Sequence, residues 1–73
     1  QITAFNRLDE EFGVLRGEIE TTRGTRLLEI RGYRTNVRIL SNNRAIVVDV
    51  DGNRYLIEDW PSLPQRIREI LGL

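Results

Sequence analysis

Residues 45–60 read AIVVDVDGNRYLIEDW, and the fold turns on how the centre of this stretch, Asp49-Val50-Asp51-Gly52-Asn53, is understood. Its acids have the look of a calcium loop. Its Asp51-Gly52 pair is one favoured at the tip of a two-residue β-hairpin, where both positions need positive φ. An EF-hand loop requires glycine at its sixth position and glutamate at its twelfth. Counted from Asp49, glycine stands fourth and the twelfth residue is Trp60. The stretch is therefore read as a turn, with no metal site. Pairing about Asp51-Gly52 sets Val48 opposite Tyr55 and Ile46 opposite Ile57, and it places Ile46, Val48, Val50, Tyr55 and Ile57 on one face. It also sets Asp49 opposite Arg54 as a cross-strand ion pair.

Upstream, NVRILSNNRAIVV (36–48) offers Asn42-Asn43 as a second turn, because asparagine tolerates left-handed backbone. Ile39 then faces Ile46 and Val37 faces Val48, so both join the same apolar face. The expectation is a three-stranded antiparallel meander from strands over 35–41, 44–50 and 53–58, with Val37, Ile39, Ile46, Val48 and Ile57 in the core. On the reverse face Leu40, Val47 and Leu56 form an apolar stripe.

The chain ends in SLPQRIREILGL (62–73). Ser62 and Gln65 have the spacing of a capping box. Leu63, Ile67, Ile70 and Leu71 recur at helical intervals, and Gly72 suits a helix end. This predicts a helix over 63–71 that adds Ile67 to the core. At the other end Phe5, Leu8, Phe12, Leu15 and Ile19 recur at intervals of three and four, the pattern of a helical seam. One helix over 3–21 would suit a coiled coil, but Gly13 and Gly17 oppose it, each costing about 1 kcal/mol relative to alanine. The preferred reading is a helix over 3–12 followed by strands over 14–21 and 26–31 that turn at Arg23-Gly24. That register faces Ile19 with Leu28 but leaves Glu18 against Glu29.

The expected fold is α+β, one domain over 1–73: a small curled antiparallel sheet of four to five strands with an N-terminal helix and a short C-terminal helix. In strand number and turn spacing this outline resembles SH3-like or OB-like barrels.

Composition narrows function. The chain has no cysteine and no histidine, which removes thiolate chemistry, disulfides and the commonest general base and metal ligand. The longest apolar run, Ala45 to Val48, cannot span a membrane, so a soluble, cytoplasmic protein is expected. No glycine-rich phosphate loop precedes a helix, and the only bases are carboxylates. Catalysis and cofactors are not expected.

All eleven basic residues are arginine, balanced by eleven acids, yet the balance is uneven along the chain. Residues 23–44 hold six arginines against one acid, Glu29. Two kinds of site follow. Trp60, Leu40, Val47 and Leu56 are candidates for a protein-interaction surface, since the chain carries more apolar faces than a chain of this size can bury alone. A non-catalytic binding or assembly module, working with another protein or as a homodimer, is the leading expectation. Alternatively Arg31, Tyr33, Arg34, Arg38, Arg26 and Arg54 form a basic patch with an aromatic stacking platform, suited to nucleic acid.

Overall fold

The computed structural model describes the backbone of residues 1–73 and every side chain except those of Tyr33 and Arg34. The chain begins with a strand, β1 (Ile2–Glu11), followed by β2 (Val14–Thr21) and β3 (Gly24–Arg31). A single helical turn, α1 (Tyr33–Asn36), leads into β4 (Val37–Ile39), β5 (Ala45–Val48) and β6 (Arg54–Ile57). A 3₁₀ turn (Trp60–Ser62) and α2 (Gln65–Leu71) close the chain. The strands form one sheet in the order β3-β2-β1-β6-β5-β4. Two antiparallel meanders are joined by a single parallel rung, Ile2 opposite Ile57. The fold is therefore mostly β with six strands in a mixed sheet, not an α+β fold of four to five strands, and it has no N-terminal helix.

The helical spacing at the N-terminus has another cause. The pairing of β1 with β2 slips between Ile2 and Ala4 and again between Phe5 and Arg7. Each β-bulge inserts one residue, so inward positions fall three apart rather than two. Ile2, Phe5 and Leu8 all point to the core although they are spaced like one face of a helix. Gly17 stands opposite Leu8 beside the second bulge, and a Cβ there would overlap the backbone carbonyl of Arg7. The glycine that argued against a helix is the one that lets the bulged strand approach.

The β2–β3 hairpin turns at Thr22-Arg23, one residue earlier than expected, with Thr21 opposite Gly24. Arg16 then faces Glu29 and forms an ion pair at 3.1 Å, which removes the Glu18–Glu29 conflict.

The second meander differs by one register step at each turn. Leu40 pairs with Arg44 around a three-residue loop in which Asn42 and Asn43 have φ of 61° and 62°. Asp49 pairs with Asn53 around Val50-Asp51-Gly52: the Gly52 N–H donates to the Asp49 carbonyl at 3.0 Å, and Gly52 takes a φ of 82°. This is a three-residue hairpin loop ending in a left-handed glycine. Ile46 consequently faces Arg38 and Leu56 rather than Ile39 and Ile57. β5 is turned over relative to both neighbours: Ala45 and Val47 are buried, while Ile46 and Val48 lie on the outer face. Of the expected core, Ile57 and Ile67 are buried and Val37 packs against it, but Ile39 is 57% exposed.

The sheet curls until the β5–β6 loop meets β3, where the Val50 N–H donates to the Glu29 carbonyl at 3.0 Å. Ile67 and Leu71 of α2 join the core formed by Leu8, Leu15, Ile19, Leu28, Ile30 and Val47. Ser62 does not cap α2: its hydroxyl bonds Asp59, and Pro64 occupies the N-cap position. At the other end the N–H groups of Gly72 and Leu73 bond the carbonyls of Glu69 and Arg68, a Schellman motif.

Replacing Gly17 with alanine is expected to destabilise the domain by roughly 3 kcal/mol, the upper end of the usual overpacking cost, because the obstacle is backbone. A urea midpoint indistinguishable from that of the unaltered chain would contradict the bulge geometry.

Candidate functional site

The β5–β6 loop is organised by one side chain. Asp49 follows Val47 on the inner face and is only 9% exposed. Its Oδ1 accepts the N–H groups of Asp51 and Asn53 at 2.9 and 2.8 Å. Its Oδ2 accepts the Asn53 side-chain amide at 3.0 Å and the Tyr55 hydroxyl at 3.4 Å. The expected Asp49–Arg54 ion pair is absent, because the register step puts Arg54 opposite Val48 on the other face. Asp49 is thus a buried acceptor that holds the turn rather than a partner for an arginine. Burial, and then the Asp49 carboxylate beside it, push the Tyr55 phenol above its ordinary value, and Arg26 acts in the opposite direction.

The outer face of β4–β5–β6 gathers several of the expected residues. Arg38, Ile46 and Leu56 form one row, and Val48 and Arg54 share the next. Leu40 and Arg38 join Ile46, Val48 and Arg54 around an open depression of about 510 Å³. The apolar stripe therefore exists with Ile46 and Val48 in place of Val47, which is fully buried. Leu56 is half-buried on this face. Trp60 lies elsewhere: it packs against the core, and its backbone N–H holds the β4–β5 loop through the Asn43 carbonyl at 2.9 Å.

The arginines among the described residues do not form one continuous patch. Arg31 pairs with Glu29 at 3.2 Å, and Arg44 pairs with Glu58 at 3.6 Å. Arg23, Arg26, Arg38 and Arg54 form no ion pair among the described residues. Arg38 belongs to the outer face. Arg23 and Arg26 gather with Arg54 at the opposite mouth of the curled sheet, beside Tyr55. The side chains of Tyr33 and Arg34 lie outside the described residues.

One exposed feature escaped the sequence reading, which placed it in a helical seam. Phe12 stands at the tip of the β1–β2 hairpin, 94% exposed, with a φ of 53°. A large aromatic residue in left-handed backbone is a steric outlier, and solvent is a poor surrounding for its ring. Glu10 and Glu11 precede it. The available signal was Gly13 directly after Phe12, since an isolated glycine between two apolar-patterned segments marks a turn.

Among the described residues no group of three or more His, Cys, Asp or Glu side chains is placed to hold a metal ion. No helix there is long and apolar enough to cross a membrane.

The chain belongs to the family described as a domain of unknown function, DUF1854, whose model matches residues 1–72. Neither a curated protein nor a solved structure matches it.

Two measurements test the Asp49 hub. Asp49→Ala should cost roughly 1–3 kcal/mol by leaving two N–H donors of the loop without an acceptor, and Asp49→Asn, which keeps one oxygen, should cost less. A raised native phenol pKa means that Tyr55 keeps its proton in the folded state where the unfolded chain begins to ionise. The stability this contributes is complete below pH 10, the ordinary tyrosine value, and is lost as pH rises through the native value. Urea unfolding between pH 9 and 12 should show that alkaline decline, and Tyr55→Phe should reduce it.

Proposed function

We propose that this domain is a non-catalytic assembly module whose docking surface is the outer face of β4–β5–β6. The observation that carries the reading is the composition of that face: Leu40, Ile46, Val48 and Leu56 form an apolar floor, flanked by Arg38 and Arg54, which have no carboxylate partner among the described residues. Aliphatic side chains bordered by unpaired guanidiniums suit a partner that is apolar at its centre and acidic at its margin.

The charge pattern also constrains self-association. Two copies stacked symmetrically through this face would bring arginines against arginines, and like charges in contact are destabilising. The β1–β2 hairpin tip has the complementary chemistry, with the exposed Phe12 ring preceded by Glu10 and Glu11. Pairing between copies therefore runs head to tail, with the tip of one chain on the outer face of the next. Such a contact is heterologous and leaves a free tip and a free face at its ends. The strained, exposed Phe12 has a use in this arrangement that it lacks in an isolated chain.

Sedimentation equilibrium with complementing variants tests the reading. Phe12→Gly removes the ring and suits the left-handed backbone, so it should raise stability while abolishing self-association. Arg38→Glu should abolish self-association without unfolding the chain. An equimolar mixture of the two should form a 1:1 heterodimer, since one retains the face and the other the tip. The unaltered chain should dissociate as salt rises. Self-association that survives both substitutions would refute the head-to-tail contact.

A further inference from the structure

The mouth of the curled sheet carries a second feature, whose lining shares only Arg54 with that of the outer face. On β3 the inner face reads Ile30, Leu28, Arg26; on β2 it reads Leu15, Gly17, Ile19, Thr21; on β6 it reads Ile57, Tyr55. Toward this end each strand exchanges an apolar inner residue for a polar one. In β3 the exchange is to an arginine, directly in line with two buried aliphatic side chains. Arg23 reaches the same place from the β2–β3 turn and Arg54 from the start of β6. Together they line a cleft of about 590 Å³ with Thr21, Asn53 and Tyr55.

No carboxylate lines this cleft. Asp49, which meets the Tyr55 hydroxyl on the inner face, is already bonded to the Asp51 and Asn53 amides and to Tyr55. Arg26 is held by its own neighbour, with Nη1 donating to the Thr25 carbonyl at 2.8 Å, and its remaining donors have no partner among the described residues. Three like charges brought to one concavity repel each other, and a bound anion relieves that repulsion. Guanidinium is also the side chain best suited to bidentate contact with phosphate oxygens. A cleft of this size admits a small ligand rather than a single ion.

We infer that this mouth binds a multiply charged phosphate ligand, a diphosphate group free or carried on a small molecule, held by Arg23, Arg26 and Arg54. Arg23 and Arg26, with Arg54 at the rim, match a diphosphate better than a monoanion, because the charge and the acceptor oxygens are spread over two centres.

The test is an NMR titration of the ¹⁵N-labelled chain with inorganic pyrophosphate, repeated with a nucleoside diphosphate and with a single-stranded oligonucleotide. Pyrophosphate should give saturable shifts confined to the amides of 22–26 and 53–55. Arg23→Gln and Arg26→Gln should each weaken binding roughly tenfold, and Arg26→Lys should not restore it, since an ammonium lacks the fork. Arg44→Gln, at a guanidinium paired with Glu58 and outside the cleft lining, should leave the affinity unchanged. Arg54 borders both surfaces and is left intact, so failure here and failure of the assembly reading stay distinct. Tighter binding of the nucleoside diphosphate would identify a carried diphosphate, and equal binding a free one. Three results would overturn the inference: no saturable shift at millimolar pyrophosphate, equal weakening by Arg44→Gln, or binding of the oligonucleotide alone.

Discussion

The carboxylate of Asp49 decides which side of the second meander is core. By accepting the N–H groups of Asp51 and Asn53 it makes the β5–β6 loop three residues long instead of two. Because side chains alternate along a strand, one extra loop residue exchanges the two faces of β5 relative to β6. Ala45 and Val47 go inward, while Ile46 and Val48 go out beside Arg38 and Arg54. The same loop carries the Val50 N–H that closes the curl against Glu29 of β3. Core, outer face and mouth therefore all depend on a turn held by one buried acid. Burial of that acid is tolerable because both of its oxygens are occupied by donors.

Strand positions in the second half were legible because period-two alternation and turn residues are local signals. The register was not. Asp51-Gly52 and Asn42-Asn43 are compatible with loops of two or three residues, and the choice rests on contacts the sequence does not display, such as the Asp49 bonds and the reach to Glu29. The same ambiguity at both turns gave two consistent but shifted pairings, so their agreement about a single core face was not independent confirmation. The N-terminal misreading has a different origin. Two bulges in β1 convert inward spacing from two to three, and spacing of three is how a helix presents a face. In sequence Gly17 is a residue that weakens a helix; in the fold its absent side chain is what admits the Arg7 carbonyl.

Candidate residues were legible in part for a related reason. Arg38, Arg54, Leu40 and Leu56 keep their face under either register of their own strands, because only β5 turns over. Val47 changes sides with β5 and leaves the surface. The segment 23–44 is basic in sequence, but folding divides it. Arg31 and Arg44 find carboxylates, while Arg23 and Arg26 are carried to the mouth and Arg38 to the outer face. Net charge along a chain thus says little about where unpaired charge resides, since pairing is settled by cross-strand neighbours distant in sequence.

What remains after the core is accounted for is a short set of residues that break local rules. Phe12 is aromatic where a hairpin tip favours glycine or asparagine. Arg26 occupies an inner-face row that would otherwise be apolar. Arg38 and Arg54 border aliphatic side chains without an acid. Each is less favourable for folding than an obvious alternative, and none takes part in the Asp49 hydrogen bonds or the β1 bulges. Residues that the fold does not need and that folding alone disfavours are those most directly tied to contacts outside the chain. Here they lie in three places: Phe12 at the β1–β2 tip, Arg38 on the outer face and Arg26 at the mouth, with Arg54 bordering the last two. Under the two proposals made above, charge would match the outer face to an acidic apolar surface and the mouth to a compact polyanion.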